Sequence, residues 1–218
     1  MFNAYQQHKE KKVANTTLSL ANRYLDKLSG EEIKTLIESK VTPETTTIDL
    51  TGNFLGLIIN GFDIDDDLQY LGAARRFGDE LSDLFLGIPN TVECLNLSRN
   101  YMDELRKPED VFKGIPSSVS SIIMRKNYMN KTPYIDEALT ALGSLPTTVN
   151  HIDLRDNPLL SANQEDDMLS DEAFKAFFLS IIQENRKIDV DPMVLERLNK
   201  LEIALEKPEE QMNRIKMS

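Results

Sequence analysis

The sequence predicts an α/β solenoid, with short parallel strands on a concave face, helices on a convex face and a helical C-terminal cap. Two observations carry this. A phrase returns with its register intact: Pro89-x-x-Val92-x-x-Leu95-x-Leu97-x-x-Asn100 recurs from Pro116 through Val119, Ile122, Met124 and Asn127, and again from Pro146 through Val149, Ile152, Leu154 and Asn157. An upstream copy keeps Ile48, Leu50 and Asn53, and a worn one keeps Leu18 and Leu20 but holds Arg23 at the asparagine position. The leading apolar positions are 18, 48, 95, 122 and 152, spaced by 30, 47, 27 and 30 residues. Repetition at this period marks a solenoid. The second observation is that the stretches between the phrases read as helix.

Each element follows in order. Residues 1–14 are polar and are expected to form an N-terminal helical cap; they hold no apolar stretch of the kind a Sec-type signal needs. The repeats are expected over 15–165. Alternating apolar positions such as 95 and 97 suit a strand with one buried face. So short a strand buries that face only when neighbouring repeats stack. Ser29-Gly30-Glu31-Glu32 leads into Ile33, Leu36 and Ile37, a serine start with acids in the first turn. The long second spacing holds an inserted segment at about 57–86, whose Leu68, Leu71, Ala74, Phe77, Leu81, Leu84 and Phe85 predict a long amphipathic helix broken near Gly78. Pro108 before Val111 and Phe112, and Pro133 before Ile135, Ala138, Leu139 and Leu142, mark further helices. Pro89, Pro116 and Pro146 end the preceding helices and hold the approach to each strand extended.

Beyond the repeats, 166–206 predicts a helical cap over the open end: a helix from about Asp171 to Glu184, a short strand from Ile188 to Val190 and a helix from Pro192 to Glu206. Residues 207–218 are expected as a charged, mobile tail.

Composition narrows the function. The 218 residues carry a net charge of −11, which disfavours nucleic acid and anionic membranes as partners. The single cysteine, Cys94, allows no internal disulfide, and Cys/His spacing for a metal is missing. Phe177 to Ile182 is too short an apolar run to span a bilayer. No cofactor and no small-molecule substrate is expected, since neither a P-loop nor a dinucleotide fingerprint is present. Asp63, Asp65, Asp66 and Asp67 invite a calcium loop, but Leu68 and Ala74 stand where such a loop needs glycine and glutamate. Cys94 and His151 fall two repeats apart, about 10 Å, too far for proton transfer.

The L-x-x-L-x-L-x-x-N phrase resembles the leucine-rich repeat, and its longer unit is nearer the ribonuclease-inhibitor type. The resemblance implies that Asn53, Asn100, Asn127 and Asn157 bond backbone inside the turn after each strand, as a ladder, with the Arg23 repeat a looser terminal one. The I-P-x-x-V style of repeat also resembles leucine-rich-repeat effectors that intracellular bacterial pathogens inject through a type IV secretion system. That resemblance implies a host protein as partner and secretion into a host cell without a Sec signal, with Glu202, Glu206, Glu209 and Glu210 as an acidic export block.

The repeat also predicts a surface. Four columns should run across the strands: Thr17, Thr47, Cys94, Ser121 and His151; Ser19, Asp49, Asn96, Ile123 and Asp153; Ala21, Thr51, Ser98, Arg125 and Arg155; and Tyr24, Phe54, Tyr101, Tyr128 and Pro158. In the last three units Arg99, Tyr101, Arg125, Lys126, Tyr128, His151, Asp153 and Arg155 gather as the expected partner-binding residues. Arginine and tyrosine dominate interface hot spots, and an acidic partner would complement this patch. The alternatives are an enzyme using residues 63–67 as an acidic site, or an endogenous intracellular repeat adaptor.

Overall fold

The computed structural model describes residues 16–59, 73–75, 78–102, 111–127, 142–157, 170–183 and 186–203. In chain order they form β1 (Thr16–Ser19), a short 3-10 helix (Leu25–Lys27), α1 (Gly30–Glu38), β2 (Thr45–Asp49), β3 (Leu57–Ile59), β4 (Ala73–Arg75) and α2 (Gly78–Phe85). There follow β5 (Cys94–Asn96), β6 (Ser121–Ile123), β7 (His151–Asp153), α3 (Asp171–Gln183), β8 (Lys187–Asp189) and α4 (Pro192–Lys200). One six-stranded sheet runs β1-β2-β5-β6-β7-β8. All its neighbours pair in parallel. The result is an open α/β solenoid with strands on one side and helices on the other.

The inward positions build one continuous core. Ile48, Leu95, Ile122 and Ile152 are fully buried, as are Leu50, Leu97, Met124 and Leu154 two residues on. Each such side chain contributes roughly 1.5–3 kcal/mol relative to exposure. Ile88, Ile115 and Leu145 and then Val92, Val119 and Val149 close the core at the approach to each strand. There the proline does more than hold the chain extended. The N–H of Val92, Val119 and Val149 donates to the carbonyl of Pro89, Pro116 and Pro146, at 3.0 Å in each coil. Pro is the first residue of a β-turn whose central pairs are Asn90-Thr91, Ser117-Ser118 and Thr147-Thr148.

The ladder reaches further than its own turn. Asn53, Asn100, Asn127 and Asn157 are fully buried. The Oδ1 of each accepts an N–H from the ladder position of the preceding coil: Arg23 at 2.7 Å, Asn53 at 2.9 Å, and Asn100 and Asn127 at 2.8 Å. The Nδ2 groups donate to preceding-coil carbonyls, those of Leu20, Leu50, Leu97 and Met124. Each asparagine therefore ties two coils together, and Arg23 takes part through its backbone alone. The residues before the ladder, Asn22, Arg99, Lys126 and Asp156, and those after it, Tyr24, Phe54 and Tyr101, adopt positive φ between 54° and 61°. Side-chain-bearing residues resist this region by about 1–2 kcal/mol each, so the buried amide bonds hold a turn the backbone alone would leave.

Helix α1 starts as its sequence predicts. Ser29 caps it, Glu32 Oε2 accepts from Ser29 N at 2.7 Å, and Glu32 N donates to Ser29 Oγ at 3.2 Å. Those bonds from Ser29 lower the Glu32 carboxyl. Gly30 lets α1 approach α2: a Cβ there would lie 1.8 Å from the Glu80 carbonyl oxygen.

The insert departs from expectation. The helix begins at Gly78, and Ala73–Arg75 instead pairs antiparallel with Leu57–Ile59. A strand partner distant in sequence leaves no trace in local periodicity. The expected N-terminal cap at 1–14, the tail at 207–218, the acidic run at 63–67 and the helix after Pro133, apart from its end at Leu142, which is helical and buried, lie outside the described residues.

At the other end, Ile188 is buried, and β8 adds a sixth coil whose Lys187 N donates to Asn150 O at 2.7 Å. Beside the last ladder asparagine, Asp191 Oδ2 accepts from Asp156 N at 2.8 Å while Asp191 occupies the N-cap of α4. Arg186, 3% exposed, donates to the carbonyls of Leu145 and Pro146. Arg197 stacks 4.2 Å from the Phe174 ring and pairs with Asp171, joining α4 to α3.

Candidate functional site on the open face of the sheet

The predicted columns coincide with the observed register. Thr17, Thr47, Cys94, Ser121 and His151 stand in line and continue to Lys187, and Ser19, Asp49, Asn96, Ile123 and Asp153 continue to Asp189. This is the face away from the core.

Along it, one local motif recurs in the β2, β5 and β7 coils and is missing from the β6 coil between them. Asp49 Oδ1 accepts from Thr51 N at 3.0 Å and Thr51 Oγ1 at 2.6 Å; Asn96 Oδ1 accepts from Ser98 N at 3.2 Å and Ser98 Oγ at 2.7 Å. Asp153 Oδ1 accepts from Arg155 N at 3.2 Å and Arg155 Nε at 2.9 Å. These are Asx turns, in which a short polar side chain bonds backbone two residues on. In the β6 coil the Asx position is Ile123, which has no acceptor. Arg125 N donates to Ser98 Oγ instead, at 3.3 Å, and its guanidinium crosses to the next coil, with Nε 2.7 Å from Asp153 Oδ2.

Asp153 thus holds two arginines. Arg155 Nη2 lies 2.7 Å from the same Oδ2, and Arg125 Nη2 also reaches it. The carboxylate is buried, whereas the side chains of Arg125 and Arg155 are 39% and 42% exposed. Burial pushes the Asp153 carboxyl up, but the hydrogen bonds from Arg155 and Arg125 outweigh it and hold the group well below the usual carboxylate range. Beside it, Asp189 pairs with His151 Nε2 at 2.9 Å and Lys187 Nζ at 3.3 Å. Burial again acts upward and these bonds, His151 first, lower the carboxyl.

Ser121 Oγ lies 3.0 Å from His151 Nδ1, so Ser121, His151 and Asp189 stand in the order of a hydrolase relay. Sequence reasoning finds no nucleophile beside His151 and misses this chain, because Ser121 and Asp189 come from other coils. The three side chains form a cross-strand chain of contacts. Acyl transfer needs N–H donors aimed at a developing oxyanion. The N–H groups of Ser120 and Ser121 both donate to Glu93 O, and those of Asn150 and His151 both donate to Ser120 O. Burial raises the Cys94 thiol, which disfavours the reactive thiolate.

The other predicted residues lie along the rim. Arg99 is exposed and Lys126 half-buried, on adjacent coils joined by Arg99 N to Arg125 O at 2.9 Å, and neither has an ion pair among the described residues. Tyr101 belongs to an aromatic stack: Tyr24 to Phe54 at 6.2 Å and Phe54 to Tyr101 at 5.5 Å, with rings within 14° of parallel. The stacked faces serve packing first. Tyr128, expected next in that column, lies outside the described residues.

On the helical side, Asp26, Ser29, Glu31, Glu80 and Asp83 line an open groove. Among the described residues no cluster of three His, Cys, Asp or Glu is placed to hold a metal ion, and no helix is long and apolar enough to cross a membrane.

Fold and ladder together define a leucine-rich-repeat solenoid. The chain is similar to the crystal structure of the leucine-rich repeat-containing protein LegL7 from Legionella pneumophila, with a TM-score of 0.58 and 24% identity. The match covers 83% of this chain and 49% of that one, so the chain spans about half the length of that protein. No family model matches the chain, and no curated protein matches it.

Proposed function

We propose that this protein is a protein-interaction scaffold that binds its partner on the open, concave face over the coils of β5, β6 and β7. The observation that carries the reading is the pair of half-exposed arginines gathered on buried Asp153 beside Arg99 and Lys126. Tyr101, His151 and Tyr128 complete the contact set. A register-locked sheet presents such side chains at fixed spacing, which lowers the entropy cost of association. We read the protein as a binder rather than an enzyme.

The partner is a host protein, and the chain acts as a bacterial effector delivered into the host cell. The repeat style and the likeness to a Legionella leucine-rich-repeat protein support this reading. Delivery is tested by fusing a calmodulin-dependent cyclase reporter to the chain: cyclic AMP should rise in infected cells and stay flat when the secretion system is deleted. Equal signal with and without that system contradicts it. The binding surface is tested with a partner identified by affinity capture. Arg125→Ala should weaken binding by about 2 kcal/mol if it is a hot spot, and Glu31→Ala on α1 should leave it unchanged. Equal loss from both removes the open face as the site.

A further inference from the structure

Two guanidiniums on one buried carboxylate leave an uncompensated positive charge at a fixed point of an acidic protein. We infer that the Arg125–Arg155 pair is a subsite for a carboxylate side chain of an acidic peptide segment of the partner, with Asp153 as the positioning residue that pre-sets both forks. This rests on the open-face reading above and names the chemistry that face would take.

Asp153 engages Nε and Nη2 of both arginines. A guanidinium carries five N–H donors in a rigid plane, so each keeps donors that Asp153 does not use, and no described residue engages either Nη1. The neighbouring charges do not cancel the excess. Asp189 is taken by His151 and Lys187 and stands 4.0 Å from Arg155 Nη2. Asp156 also acts on Arg155 from the rim, against Arg99 and Lys126 on the same rim. A carboxylate accepts from two guanidiniums at once through charge-assisted bonds, and holding the donors beforehand spares the ordering cost. Ile123 creates the site: an Asx residue there would keep a carboxylate or amide beside Arg125, as Asp153 does beside Arg155.

The test is fluorescence anisotropy with labelled hexaglutamate titrated into the full chain at about 50 mM salt, where surface charge is weakly screened. Saturable binding is expected, and hexalysine should not compete. Asp153→Asn should weaken it about tenfold although the variant is one charge more positive. Arg125→Lys, which keeps charge but loses the fork, should weaken it similarly. Plain electrostatic attraction gives the opposite: tighter binding for Asp153→Asn and no change for Arg125→Lys, and the second result alone overturns the subsite if the first variant folds poorly. Orthophosphate displacing hexaglutamate at equal concentration makes the site a phosphate site and overturns the carboxylate assignment. A dimer of the chain lost in Arg155→Gln places a second copy there and likewise overturns it. Absence of hexaglutamate binding refutes the subsite, whereas the open-face reading falls only if a captured partner is indifferent to substitution at Arg125.

Discussion

The first two coils and the last three share one backbone plan and differ in what they put on the open face. In the β1 and β2 coils the face carries Thr17, Ser19, Thr47, Asp49 and Thr51, and Asp49 satisfies itself within its own turn through Thr51. In the β6, β7 and β8 coils long side chains reach between strands: Arg125 to Asp153, Ser121 to His151, His151 to Asp189. Short polar residues close local loops, while arginine and histidine span the about 5 Å between strands. The repeat therefore separates duties. The ladder and core serve every coil alike, and the open face is left to vary.

The largest expected effect strikes what the halves share. Asn100→Ala removes the acceptor of Asn53 N and the donor to Leu50 O and Ser98 O. Buried groups left unpaired cost about 1–3 kcal/mol, so urea denaturation should show a loss near the top of that range. A loss confined to one half, seen as a second transition, would show the coils are less coupled than the ladder implies.

Gly30→Ala comes next and belongs to the N-terminal half. The added methyl meets the Glu80 carbonyl, and overpacking of this kind costs roughly 1–3 kcal/mol. Thermal melting should fall while the Arg125–Asp153 pairing, followed by the Arg125 Hε resonance, stays put. Movement of that resonance would deny the independence of the two regions.

A smaller effect sharpens the C-terminal half. Because the folded carboxyl of Asp153 is held below its unfolded value, its contribution is present above about pH 4. It is lost as the pH falls through the depressed folded value, since the unfolded chain then binds the proton first. Asp153→Asn should cost roughly 1 kcal/mol at neutral pH, discounted for the exposed arginines, and should flatten the acid limb of stability against pH. An unchanged limb would mean the ion pairs contribute nothing to folding.

The strand register and the columns were legible because the repeat fixes them: one apolar pair and one asparagine per coil determine which residues align. The start of α1 was legible for the same local reason, a serine followed by Glu32. What escaped was non-local. The β3–β4 hairpin joins Leu57–Ile59 to Ala73–Arg75 across the insert. Asp191, three residues past Ile188, bonds Asp156 N from 35 residues away in sequence, a contact outside the repeat's pattern. That Asp153 and the arginines lie near one another was legible, and how they bond was not. Asp153 and the arginines were named together, but the single Ile123 that sends Arg125 into the next coil signals only by what it lacks.

The same substitution placed in both halves tests the account most directly. Ser19 and Ile123 occupy one column, and an aspartate at either adds one negative charge to the open face. With a partner captured by the full chain, Ile123→Asp should weaken binding at least tenfold by occupying Arg125, and Ser19→Asp should leave it within about twofold. Equal losses, or a larger loss from Ser19→Asp, would contradict the assignment of recognition to the C-terminal coils.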